Sequence, residues 1–236
     1  MIVGLLFIIC TATSIIGASL SKPALDSANY LNEMAAGNNR IIAGALIEFV
    51  WAVTGAGIAV CLYPILRKYN GALALGSVGF RIVEGIFVLI GTLSMLSLLT
   101  LSQEFMSAGA ASASSYQASG SALLALRDWA HGSVGLISFS LGTLLYSVVL
   151  YRSRLIPRWL SGWGIGAAIL CLGVTLYSTF NFDFGLTAAN TVFNAPIGLQ
   201  EMVLAGWLIV KGFNPSAIAS LSVKTELSEK VLAYSK

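Results

Sequence analysis

Four charged side chains lie inside long apolar runs: Glu48, Arg81, Glu84 and Glu201. In "GFRIVEGIF", residues 79–87, an arginine and a glutamate stand three positions apart. On a helix that spacing puts both on one face, where they can pair. A charge at the centre of a bilayer helix costs about 2.5–3.5 kcal/mol on insertion scales. Such residues face protein or water, pair where they can, and mark ion and proton pathways. A guanidinium offers a fork of donors, so Arg81 could neutralise Glu84 and bridge to Glu201 on a second helix. Two carboxylates held that close cannot both ionise cheaply, so Glu84 and Glu201 could share a proton. Small and polar residues accompany these charges at helical spacing. Ser77 and Gly91 share the stripe of Arg81 and Glu84; Gly44, Trp51 and Gly55 share that of Glu48; Asn194, Gly198 and Ala205 share that of Glu201. Small residues let helices approach and polar ones link them. The candidate intramembrane polar site is therefore Arg81, Glu84, Glu201, Glu48 and Asn194. Pro196, one turn before Glu201, frees a backbone carbonyl in the same run.

A weaker set lies in "LRDWAHG": Arg127, Asp128 and His131. His131 is the single histidine. Imidazole changes charge near physiological pH, and a Glu48–His131 contact is feasible if their helices touch. Other chemistry finds little support. There is no phosphate-binding glycine loop, and one histidine rules out HExxH. No GxSxG elbow is present. Asp26, Asp128 and Asp183 all fall in segments assigned outside the membrane, which removes a paired intramembrane aspartate site. Cys10, Cys61 and Cys171 are far apart and read as small buried hydrophobes. No metal site and no cofactor are expected.

The elements that must position these residues follow from composition. Of 236 residues, 57% are hydrophobic and 10% charged, against about 25% charged in an ordinary soluble domain. The mean hydropathy is +0.85. A surface with so few charges belongs in lipid, so the bilayer is the first partner. A net charge of +3 gives no reason to expect nucleic acid. A span needs about 20 apolar residues. Six such runs are present, at about 2–21, 41–66, 73–101, 130–151, 159–180 and 191–211. The expected fold is all-α, a polytopic bundle of six transmembrane helices forming one domain over 1–211, with a polar tail at 212–236. The first run lacks a basic flank and is longer than a signal-peptide core, so it reads as a retained helix.

Loop charge sets the direction. One set of connections carries Arg67, Lys68, Arg152, Arg154, Arg158, Lys211, Lys224, Lys230 and Lys236, opposed by Glu226 and Glu229. The alternate set holds Lys22, Arg40 and Arg127 against Asp26, Glu33, Glu104, Asp128 and Asp183. The positive-inside rule then places both termini in the cytoplasm. The largest external segment, 102–129, is Ala/Ser/Gly-rich in its middle. It reads either as a flexible linker or, around Leu123, Leu124, Leu126 and Trp129, as a short interfacial helix. Counting outward from the short turn at 67–72, Arg81 lies level with about residue 57, and Glu48 with about residue 90.

Several phrases resemble the bacterial DUF4386 family of integral membrane proteins. They are "YPILRKYN" with "GFRIVEG", and "LYRSRLIPRWLSGWG" further on. The resemblance runs from about residue 4 to about residue 211. It implies a multispanning protein of a bacterial inner membrane and lends no catalytic residues. Two features depart from the family pattern. Members often open with a basic stretch before the first helix, and His131 in "RDWAHG" is atypical. Three functional readings follow. The first is a non-catalytic role in structure, sensing or assembly. The second is a proton- or ion-coupled carrier of a small solute, which at this size would need to form a homo-oligomer. The third is a membrane-embedded hydrolase or transferase, for which no nucleophile motif is found.

Overall fold

The computed structural model describes residues 1–108, 113–184 and 187–219, which form helices joined by short turns, with no strand among them. Helix α1 covers Ile2–Leu25, α2 Tyr30–Ala36, α3 Asn38–Leu66 and α4 Gly71–Ser107. Helix α5, Ala113–Asp128, runs through a π-helical segment, Trp129–Gly135, into α6, Leu136–Ser153. Helices α7, Arg158–Asn181, and α8, Ala188–Val210, complete the bundle. Six of these pieces are long and apolar enough to cross a membrane: α1, α3, α4, the continuous stretch Ala113–Ser153, α7 and α8.

Local chemistry explains the helix ends. Asn70 Oδ1 accepts from the Leu73 amide at 3.0 Å and starts α4 right after the short basic turn. Thr187 does the same for Asn190 at the start of α8, at 3.3 Å. Arg154, in the left-handed region at φ 55°, ends α6, and Pro157 stands just before α7. At 37 residues, α4 is about 55 Å long, well beyond the roughly 30 Å hydrocarbon core.

The spans close into a ring. Helix α1 packs on α3, α3 on α4, α4 on α6, α6 on α7, α7 on α8, and α8 back on α1. Gly4 makes the last contact. A Cβ there would lie 2.6 Å from the Ala205 carbonyl oxygen and 2.7 Å from Ile209 Cγ1. The start of α1 and the end of α8 therefore share one end of the bundle. Gly4→Ala should force α1 from α8 and lower the stability by about 1–3 kcal/mol, read as a lower melting temperature in detergent; an unchanged melting temperature would contradict this packing.

Large apolar side chains such as Phe49, Val53, Leu93, Ile169, Phe180 and Val210 are exposed on the outside of the ring, as lipid contact requires. Inside, the axis is layered. Leu31, Met34, Ile41, Met95 and Leu98 form an apolar cluster at the α2 end. Ile58, Leu62, Leu66, Leu150, Leu155 and Leu208 form another at the end with the basic turns. The buried charges lie between the two.

The segment 102–129 is not a linker in its described part. Helix α4 takes residues up to Ser107, and helix begins again at Ala113. Alanine is the best helix former, which favours this outcome in an Ala-rich stretch. Tyr30 on α2 ties it down, donating to the Gln117 carbonyl at 3.1 Å. Gly120 makes room for the same ring, since a Cβ there would sit 2.6 Å from Tyr30 Oη. Of the polar tail, residues 220–236 lie outside the described residues.

Candidate functional site

Two buried ionic groups occupy the interior, at different depths and in different states of satisfaction. The outer one, so called because it lies towards the α2 end of the bundle, is built on Glu48 of α3, which is 1% exposed. Arg127, at the end of α5, grips it with both terminal nitrogens. Nη2 lies 2.5 Å from Oε1 and Nη1 lies 3.2 Å from Oε2. Nη1 also donates to the Gly91 carbonyl at 3.0 Å. The Thr92 hydroxyl donates to Glu48 Oε2 at 2.6 Å. Gly17 of α1 presses on the same side chain, as a Cβ there would be 2.9 Å from Glu48 Cγ. This is a neutral, bidentate, fully bonded pair of the kind Arg forms best. It ties α3, α4 and α5 together under α1.

His131 is close by but is not the partner of Glu48. Its Nε2 donates to the Val88 carbonyl at 2.8 Å, and its ring stands edge-on to Trp51 with centroids 5.6 Å apart. The feasible Glu48–His131 contact is therefore replaced by Glu48–Arg127. The cause is the continuous helix Ala113–Ser153, which carries Arg127 inward beside α4. Gly91 accommodates the imidazole, against which a Cβ would clash. His131 sits in the π-helical segment, a distortion that often marks functional positions. Asp128 is exposed and, among the described residues, in no ion pair.

The inner group is built on Arg81 of α4, 1% exposed. Its Nη1 lies 3.0 Å from Glu84 Oε2. Its Nε donates to the Gly55 carbonyl of α3 at 3.2 Å. The guanidinium carbon stands 4.9 Å from the centroid of the Phe139 ring of α6. Gly142 of α6 lets the arginine stem through, since a Cβ there would lie 3.0 Å from Arg81 Cγ. Around Gly55, Cys10 of α1 and Glu84 come within ordinary contact of a built Cβ. Glu201 of α8 and Tyr146 of α6 are within electrostatic reach of Arg81 and Glu84, and Cys171 of α7 within that of both glutamates. Helices α1, α3, α4 and α6 thus meet at this one centre, with Glu201 of α8 in electrostatic range.

Glu201 does not form the expected bridge to Arg81. Among the described residues its carboxylate makes no ion pair, and Oε1 is buried with no hydrogen-bond partner. The Arg81–Glu84 contact is itself a charge pairing without hydrogen-bond alignment at Nη1 and Oε2. Ser77 Oγ is also buried without a hydrogen-bond partner, while Tyr146 lies beside Thr143 and Thr175 beside the Cys171 thiol. Asn194 Oδ1 and Gln200 Oε1 on α8, beside Pro196, are buried without a partner as well. Buried polar atoms in native proteins are satisfied as a rule, so the unbonded Arg81 Nη1, Glu84 Oε2 and Glu201 Oε1 distinguish the inner group from the outer. Thr92, Tyr146, Gln200 and Cys10 carried no charge signal in the sequence and were not candidates. Among the described residues, no three His, Cys, Asp or Glu side chains converge to hold a metal ion.

Charge can be counted at this centre. Arg81 supplies one positive charge, and Glu84 with Glu201 two negative ones. Fully ionised, the group is one negative charge out of balance in a low-dielectric interior. A buried charge with no counter-charge is the most costly arrangement available to it.

Six apolar helices closed around buried ionic groups define a multispanning membrane protein. The chain belongs to the DUF4386 family: the model of this domain of unknown function matches residues 2–212. No curated protein and no solved structure matches the chain.

Proposed function

We propose that this is a proton-coupled carrier of a small polar solute, seated in a bacterial inner membrane with both termini in the cytoplasm. The observation that carries the reading is the inner group: two buried carboxylates served by one guanidinium. A proton held by Glu84 or Glu201 balances it, and a site that must gain or lose that proton can couple to something else that moves. The buried polar side chains Ser77, Thr143, Tyr146 and Gln200 on α4, α6 and α8 are groups to which a polar solute could bond. Pro196 interrupts the hydrogen bonding of α8 near Asn194 and Gln200, where transporters place irregular backbone. The orientation rests on the basic residues of the 67–70 and 152–158 turns.

A second reading has its own support. The bonded, neutral Glu48–Arg127 pair is what a purely structural network looks like, and a protein for sensing or assembly could use both groups as scaffold.

Vesicles carrying the protein and an internal pH-sensitive dye separate the two. Challenged in turn with small neutral, acidic and basic solutes, they should show a solute-dependent pH change. Glu84→Gln and Glu201→Gln should each abolish it, and Arg67→Gln should leave it intact. A pH response to any of these solutes that survives both glutamine variants would contradict the coupling role.

A further inference from the structure

Arg154, Arg158 and Lys211 line one hollow of about 580 Å³ together with Trp207, Asn214 and Pro215. The three cations come from three places: the end of α6, the first residue of α7 and the residue after α8. Among the described residues none of them is in a salt bridge, and no acidic residue lines the hollow. Positive-inside bias explains basic residues on this face of the bundle. It does not explain their convergence on one concavity.

The hollow has a built frame. Leu155 accepts a hydrogen bond from the Asn214 amide at 2.8 Å, pinning the α6–α7 turn to the chain that follows α8. Arg154 and Gly212 hold left-handed backbone, at φ 55° and 67°, on either side of that pin. Leu155 and Ile156 are buried beneath it. The N-terminus of α7, a 24-residue helix, opens at Arg158 and adds the positive end of its dipole. Arg158 is steadied by stacking on Tyr151, 5.4 Å from the ring centroid.

We propose that this hollow binds a phosphate group. Guanidinium and ammonium groups beside a helix N-terminus are the donors that phosphate oxygens accept from. Its volume falls within the range of small-molecule sites. Its position at the ends of three spans, with Trp207 half-buried in its wall, puts it at head-group level. Basic pockets between spans on this face hold anionic lipid head groups. A soluble phosphate ester presents the same chemistry, and the test separates the two.

The protein in neutral detergent is titrated with phosphatidylglycerol, phosphatidylcholine and inorganic phosphate, with binding followed by native mass spectrometry and by thermal shift. Phosphatidylglycerol should bind in preference to phosphatidylcholine. The double variant Arg158→Gln with Lys211→Gln should weaken that binding about thirtyfold. The control double Arg67→Gln with Lys68→Gln, in the other basic turn, should leave it unchanged. The exposed Arg154→Gln provides an independent single variant, expected to weaken binding in the same direction. Binding of inorganic phosphate with the same dependence on Arg158 and Lys211 would assign the site to a soluble phosphate; binding of phosphatidylglycerol alone would assign it to lipid. The proposal fails if neither ligand binds better than phosphatidylcholine, or if the control double weakens binding as much as the test double.

Discussion

Replacing Arg127 with methionine will unfold much of the outer half of the bundle. Glu48 would keep the Thr92 hydroxyl and lose every cationic contact while still buried. Breaking one side of a buried pair costs about 3–5 kcal/mol, a large fraction of the stability of any protein of this size. The Gly91 carbonyl would lose its donor as well. The partner variant Glu48→Gln removes the stranded charge and keeps an acceptor for Thr92. Combined with Arg127→Met it should recover more than half of the loss. A double-mutant cycle on melting temperature in detergent measures this coupling. Additive losses would show that Glu48 and Arg127 do not act as a pair.

Arg81→Met should be at least as damaging, for a different reason. It removes the single cation of the inner group and leaves two buried carboxyls, Glu84 and Glu201, without one. It also frees the Gly55 carbonyl and empties the contact with Phe139. The loss should again be about 3–5 kcal/mol. The triple variant with Glu84→Gln and Glu201→Gln should restore folded yield, because no charge then remains at the centre. Glu201→Gln alone provides the contrast. It breaks no ion pair and removes a carboxyl that must otherwise bind a proton to keep the centre neutral, so its melting temperature should equal or exceed that of the unaltered protein. A collapse of Glu201→Gln comparable to Arg127→Met would mean that Glu201 is structural.

Some of this arrangement could be read from residues alone. Arg81 and Glu84 are three apart on one helix, and spacing of that kind is local. The short turn after α3 sets the register of α3 against α4. Counting from it places Arg81 near residue 57 and Glu48 near residue 90. In the structure Arg81 bonds to Gly55, and Glu48 receives Thr92. The six spans are legible because hydrophobicity over that length has few other causes. The partner of Glu48 was not legible. Arg127 sat in a segment assigned to the outside, and only the helix running unbroken from Ala113 to Ser153 brings it within reach. That helix was obscured by a serine- and glycine-rich stretch whose composition also suits a linker. Helix α2 was missed because seven residues carry too little periodicity. Tyr146 and Gln200 were missed because an uncharged polar residue in an apolar run is ordinary, and their complete burial is a property of three dimensions.

The Arg81–Glu84–Glu201 group should hold one proton in the folded protein. Infrared spectroscopy of the purified protein at neutral pH reads this directly, through the carbonyl stretch of a protonated carboxyl and its shift in heavy water. Such a band should be present in the unaltered protein. Glu84→Gln and Glu201→Gln should each remove it, because one remaining carboxylate is balanced by Arg81. Glu48→Gln should leave it unchanged. Absence of the band from the unaltered protein, or its survival in both single variants, would contradict a proton-holding centre and leave the inner group as scaffold.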